Sequence, residues 1–215
     1  MNQILEIKNL KKRNKYKKIL KMQLFISLIM IISFSIYLLY FYINRIKDKN
    51  ISNTLLNTFS LERLYSKSEN YTTVELNKNG NYFVIGIIEI PKINIKYPIL
   101  SDVNDELLKI SACRFYGPYP NKIGNLCIAG HNYDNNSFFS NLYKLDIGDV
   151  INIYDSNKLL VTYSIYNKFE TSKSDTSCTN QNTNGKREIT LVTCNNINKN
   201  RLIVKAIEQK ITAKH

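Results

Sequence analysis

The twenty residues "LFISLIMIISFSIYLLYFYI", Leu24 to Ile43, carry no charge at all. As a helix rising 1.5 Å per residue they make about 30 Å, the thickness of a bilayer's hydrocarbon core. Eight of the 30 basic residues are packed just ahead of this run, between Lys8 and Lys21, in "KNLKKRNKYKKILK". A cleavable signal peptide has an apolar core of roughly 7–15 residues before a small-residue cleavage site. Here the core is longer, and "NRIKDKN" follows it with no Ala-x-Ala pattern. The run is therefore predicted to be an uncleaved signal anchor. Residues 1–23 form a basic cytoplasmic segment, residues 24–43 cross the membrane, and the rest lies outside the cell. Tyr40 and Tyr42 fall near the outer end, where amphipathic rings favour the interface.

That anchor accounts for much of the charge. A formal +13 with a pI near 9.5 first suggests a nucleic-acid partner. Beyond residue 43, however, 22 basic side chains face 16 acidic ones. This moderate excess suits life beside an anionic membrane or wall, and no nucleic acid is expected.

Four cysteines in an exported domain would ordinarily suggest two disulfides. Their positions (Cys113, Cys127, Cys178, Cys194) form no C-x-x-C arm, and the histidines are only His131 and the terminal His215. A zinc site is not expected. Whether Cys113 and Cys127 pair or are simply buried as small apolar residues is open at this level.

Residues 44–80 read as a stalk. "ISNTLLNTFSLERLYS" puts Ile51, Leu55, Leu56, Phe59 and Arg63 at helical spacings, and "KSENYTTVELNKNGN" reads as a polar linker. The character changes for residues 81–215. "YFVIGIIEIPKINIKYPIL" predicts two strands meeting at "PK", and "DELLKIS" a short helical turn. "GNLCIAG" is a strand, and "NSFFSNLYKL" a short helix capped by Asn136 or Ser137. "DVINIYD" and "LLVTYSIYNKF" make a hairpin through "SNK", with "REITLVTC" and "RLIVKAIE" as the last strands. Seven or eight short strands without βα alternation predict a mainly β domain, a small closed barrel or a sandwich.

In "TLVTCNNINKNRLIVKA" a cysteine closes one apolar run and an arginine opens the next. If those strands are neighbours, their backbones run about 4.8 Å apart and Cys194 stands beside Arg201 at one rim. Taken alone, a strand-end cysteine is usually a core residue and a strand-start arginine a solvated charge. His131 changes the weighing. "NLCIAG" delivers it to a loop mouth, with Gly130 relaxing the backbone beside it. A thiol nucleophile needs such a partner, because histidine titrates near neutrality. An arginine stays charged, and its planar donors suit an oxyanion or substrate carbonyl. Cys, His and Arg together define an acyl-transfer site.

"TLVTC" with an arginine opening the following strand resembles the signature of the sortases, membrane-anchored cysteine transpeptidases of Gram-positive surfaces. "GNLCIAGHN", "GIIEIPKINIKYPIL" and "LYKLDIGDVINIYD" resemble further segments of that family in its order, over about residues 82–208. The resemblance implies an eight-stranded closed β-barrel with short helices. It implies Cys194 as nucleophile, His131 as general acid and base, Arg201 as stabiliser of substrate and oxyanion, and Thr193 as a groove-lining residue. The implied substrate is a secreted protein with an LPXTG-like sorting signal near its C-terminus. The implied acceptor is an amine of a peptidoglycan precursor or a pilin lysine.

No apolar segment follows Val204, and the connection from Phe169 to Glu188 is short. Both features favour a subtype near the A or D classes over pilin-polymerising members. No cofactor is expected. Some members use calcium, for which Asp105 and Glu106 are the candidates, although no clear acidic cluster stands out. Two other readings stay open: a cell-surface cysteine peptidase that hydrolyses, and a non-catalytic tethered β-module that binds wall components.

Overall fold

A computed structural model describes residues 2–65, 73–74, 82–133, 137–157, 159–195 and 200–209. Most of the expected polar linker, the candidate cap Asn136, the middle of the Asn195–Asn200 loop and His215 lie outside them. Helix α1 (Asn2–Tyr65) contributes to two compact units, Met1–Lys47 and Asp48–His215.

In the first unit, α1 is long and apolar enough to cross a membrane, and none of its apolar window is buried by protein. The serine hydroxyls inside the run turn back on the helix. Ser27 donates to Leu24 O at 2.9 Å, Ser33 to Met30 O at 3.0 Å and Ser35 to Ile31 O at 2.9 Å. A hydroxyl in hydrocarbon has no water to bond, so the preceding turn supplies its acceptor.

The second unit is a closed barrel. A two-residue strand β1 (Thr73–Val74) is followed by β2 (Tyr82–Ile90), β3 (Ile95–Leu100), helix α2 (Asp105–Ile110), β4 (Ala112–Tyr116) and β5 (Gly124–Ala129). Strands β6 (Val150–Asp155), β7 (Leu160–Thr171), β8 (Arg187–Cys194) and β9 (Arg201–Glu208) complete it. The order is β1-β2-β3-β4-β5-β8-β9-β7-β6, and pairing of β2 with β6 closes β2 to β9 into eight strands.

Strand β2 reads "YFVIGIIEI" because it is buried on both sides. Ile85, Ile88 and Ile90 point into the barrel with Phe139, Leu142, Ile151 and Leu191. Val84 and Ile87 pack outward on Leu107 and Ile110 of α2 and on Leu55 and Phe59 of α1. Consecutive apolar residues, in place of alternating ones, are the mark of a doubly covered strand. The helical spacing read for residues 51–59 thus belongs to a helix face docked on the barrel. Each such fully buried Ile or Leu contributes about 1.5–3 kcal/mol.

Two details depart from expectation. "ACRFY" was not anticipated as a strand, yet it forms β4, parallel to β3 through only two ladder pairs. Its central Arg114 hides a strand pattern, because the guanidinium is spent locally on Gly117 O at 2.9 Å and Ser101 O at 3.2 Å. "NSFFSNLYKL" forms only a one-turn 3-10 helix, Leu142–Lys144. Phe139, Leu142 and Leu145 turn into the core there, and that packing outweighs helical continuity.

Candidate active site

Strands β5 and β8 run parallel, with ladder pairs from Gly124↔Arg187 to Ala129↔Val192. The alignment continues past the last pair. Gly130 N donates to Val192 O at 3.1 Å, and the Asn132 side-chain amide donates to Cys194 O at 2.7 Å. His131, between them, therefore ends level with Cys194. On the other flank β9 runs antiparallel to β8, and their terminal pair is Cys194↔Arg201. Asn195 N donates to Asn200 O at 2.7 Å and closes the loop just beyond that pair. One strand end thus carries the thiol, with histidine on its left neighbour and arginine on its right.

Alternation decides which face they share. Ile189 and Leu191 point into the barrel; Val192 points outward and packs with Cys178, Ile203, Phe115 and Phe169. Cys194 shares Val192's parity and Arg201 shares Ile203's. The cysteine–arginine pair therefore sits at the end of an apolar trough on the outer face of the barrel. The trough's cover is the β7–β8 connection, which holds one 3-10 turn, Ser177–Thr179, and no long insertion. Asn125 pins that connection, donating to Cys178 O at 2.9 Å and Asn180 O at 3.1 Å. Gln181 returns the contact, donating to Asn125 O at 2.9 Å and accepting from Asn125 N at 3.1 Å.

All four cysteines are free, which answers the open question about disulfides, and only Cys194 is exposed. Burial pushes the Cys113 and Cys127 thiols up to about 12, and burial also raises Cys178. A thiol reagent at neutral pH is expected to modify Cys194 alone in the native protein. The other three should react only after denaturation, as read by mass spectrometry of the labelled peptides.

His131 is half-buried. Burial holds its pKa below the usual histidine range, with Asp105 opposing that shift and Lys109 of the same helix adding to it. The imidazole is consequently neutral near pH 7. An aromatic row secures its loop. The rings of His131 and Tyr133 lie 4.9 Å apart, Tyr133 and Phe138 5.7 Å, and Phe138 and Tyr97 5.0 Å. Phe138 N donates to the Tyr97 hydroxyl at 3.1 Å, and Phe139 N to His131 O at 3.0 Å. Asn132, Tyr97 and Phe138 were not read as site residues. Asn132 and Tyr97 left a sequence trace, as letters of "GNLCIAGHN" and "GIIEIPKINIKYPIL".

Gly130 serves close approach, not the backbone freedom expected of it. A Cβ there would meet the Phe139 ring at 2.7 Å. Gly130→Ala is expected to cost about 1–3 kcal/mol through overpacking and to lower activity by displacing His131. Urea unfolding and a peptide-cleavage rate would check both effects.

Thr193 differs from expectation. It is 3% exposed and its hydroxyl donates to Gly130 O at 2.8 Å. Its parity puts it inside the barrel, so it ties β8 to the His131 loop and does not line the trough. The half-buried Arg201 guanidinium has no hydrogen-bond or ion-pair partner among the described residues. Asp105 and Glu106 open α2 under an Asn104 cap. Among the described residues no group of three or more His, Cys, Asp or Glu could hold a metal ion.

Barrel, trough and rim together define a sortase-type β-barrel. The sortase domain family matches residues 88–209 of this chain. A sortase A of Bacillus anthracis is 30% identical over 118 residues, 54% of this chain and 55% of that protein. The chain thus matches about half the length of that curated relative. The sortase D5 transpeptidase of Clostridium perfringens is 35% identical, with a TM-score of 0.64, covering 75% of this chain and all of that one. A sortase A of Corynebacterium diphtheriae, 21% identical with a TM-score of 0.56 over 75% of this chain and 86% of that one, shares the fold. The chain belongs to the sortase family.

Proposed function

We propose that this sortase is a cysteine transpeptidase acting on secreted proteins with an LPXTG-like signal near their C-terminus. The observation that carries the reading is the terminal register: Cys194 paired with Arg201 and level with His131, at an exposed rim. Neutral His131 takes the Sγ proton as the sulfur adds to the substrate carbonyl carbon. Arg201 meets the oxyanion that forms, with a guanidinium not committed elsewhere in the described structure. The C–N bond breaks, His131 protonates the departing amine, and a thioester stays on Cys194. An incoming amine adds to the thioester, gives a proton to His131 and expels the sulfur, which regains that proton. One amide is exchanged for another with no redox change.

The acceptor is an amino group of a peptidoglycan precursor or a pilin lysine. The 35% identity with the D5 transpeptidase of Clostridium perfringens supports the D side of an A-or-D subtype. Thr193 is a positioning residue, acting through Gly130. The reaction itself is tested by incubating the protein with sorting-signal peptides, with and without an amine. A transpeptidase yields the amine-coupled product. Hydrolysed peptide in equal amount under both conditions would favour the peptidase reading.

The chain is organised as a basic cytoplasmic segment (1–23), a membrane span (24–43), a stalk (44–80) and an extracellular catalytic domain (81–215). The exposed apolar helix and family membership support this topology. A reporter fused after His215 is expected to be active only outside the cell, and the mature protein to keep its N-terminus. An N-terminus processed near Asn44 would remove the anchor.

A further inference from the structure

The end of the barrel opposite Cys194 has a character of its own. Gly124 and Arg187 start β5 and β8 there, Glu208 ends β9, and the β6–β7 hairpin turns there between Asp155 and Leu160. Asn121 plugs this end at 4% exposure. It accepts from the Tyr163 hydroxyl at 3.1 Å and donates to Leu159 O at 2.7 Å, while its carbonyl accepts from Arg187 Nε at 2.9 Å. These bonds draw the β4–β5 loop and the β6–β7 hairpin together.

Their outward side chains are large and apolar. Ile123 is 65% exposed, Leu159 48%, Leu160 45% and Tyr119 41%. These four side chains come from two loops that Asn121 ties together, where turns are ordinarily polar. Exposed Lys122 and Lys186 flank it, and Gly124 N holds Lys186 O at 3.1 Å. The carboxylates on these same elements are engaged. Glu208 pairs with Arg187 at 2.6 Å, and buried Asp155 accepts from Asn157 N and Leu159 N at 2.9 Å.

We infer that this apolar, lysine-flanked cap, centred on Ile123 and Leu159, docks on an anionic lipid surface. The assignment rests on the membrane span proposed above for residues 24–43, which tethers the chain to a bilayer. Apolar side chains enter the headgroup–acyl boundary, the tyrosine suits the interface, and the lysines meet lipid phosphate. Docked so, the Cys194 rim stands roughly 20 Å from the headgroups, the length of β8 reduced by the strand tilt of about 35–45° in a closed barrel. The catalytic rim then faces substrates and acceptors in the wall.

The chain has no tryptophan, so one introduced indole reports its own depth. Ile147 is a matched control, also 65% exposed. It lies at the Cys194 end, in a turn held to the β2–β3 corner by Lys92 bridges to Asp146 and Asp149 at 2.7 and 2.8 Å. The full chain would be reconstituted in vesicles of phosphatidylglycerol and phosphatidylcholine brominated on the upper acyl chain. Ile123→Trp and Leu159→Trp are expected to lose about half their emission or more, and Ile147→Trp little. Adding Lys122→Glu and Lys186→Glu should restore the Ile123→Trp emission. Flotation of each variant with the vesicles separates the two premises: chains that do not float refute the anchor, and with it the docking. Floating chains with no quenching at Ile123→Trp, or with equal quenching at Ile147→Trp, overturn the docking alone. Quenching unchanged by the lysine reversals overturns the anionic lipid. A concentration-dependent dimer buried at Ile123 would assign the cap to a second copy instead.

Discussion

Cys194→Ala is expected to abolish cleavage of a sorting-signal peptide and formation of any covalent acyl-enzyme. Removing a nucleophile from a working constellation costs on the order of 10⁶-fold, which here means no turnover above background. The other cysteines sharpen the test. Cys113 and Cys127 are wholly inaccessible, and Cys178, in the β7–β8 connection, is 3% exposed with its side chain packed on Val192 and Ile203. Their replacement by alanine should leave the chemistry in place and cost roughly 1–2 kcal/mol of stability through small cavities. Mass spectrometry with a slow substrate would reveal a thioester adduct in the parent chain and none in Cys194→Ala. Turnover that persists in Cys194→Ala would end the transpeptidase reading.

Arg201→Lys is expected to keep the fold and lose about 100-fold or more in kcat/KM. Lysine preserves the charge but replaces a planar fork of donors with a point charge, and an oxyanion stabiliser depends on the fork. Lys205, four ladder pairs along β9 and on the same face, provides the comparison. Its ammonium lies 3.9 Å from Glu188, in a pair at 16% and 14% side-chain exposure. Lys205→Arg retains that pair and should alter the rate by no more than about twofold. Steady-state cleavage measured beside circular dichroism distinguishes a lost donor from a lost fold. A folded Arg201→Lys with near-normal rate would make its pairing with Cys194 incidental.

Particular residues show how far the sequence could be read. Strands β8 and β9 were legible because apolar runs ending in Cys194 and starting at Arg201 leave few ways to join them except as a hairpin. The pairing expected from that spacing is the register observed. Strand β4 was not legible. Its five residues make no clear alternation, and the bonds from Arg114 to Gly117 and Ser101 exist only once the chain is folded. The spacing of Ile51, Leu55, Leu56 and Phe59 declared a helix, but amphipathic spacing does not name the surface that receives it. That surface, Val84, Ile87 and Leu107, comes from elements 25 or more residues away.

The amino-acid sequence by itself determined the uncharged span, most of the strands along the chain and the cysteine, histidine and arginine that are proposed to react. These rest on local pattern: length of an apolar run, strand propensity, and the scarcity of histidine. Tertiary structure alone decided how the three meet. The β5–β8 neighbourhood joins segments about 60 residues apart, and the Asn132–Cys194 bond extends it so that His131 ends level with the thiol. It also turned Thr193 inward, made Gly130 a seat for the Phe139 ring, and left three of the four cysteines buried. Those outcomes depend on which face of a strand meets the core, and that is settled only when the barrel closes.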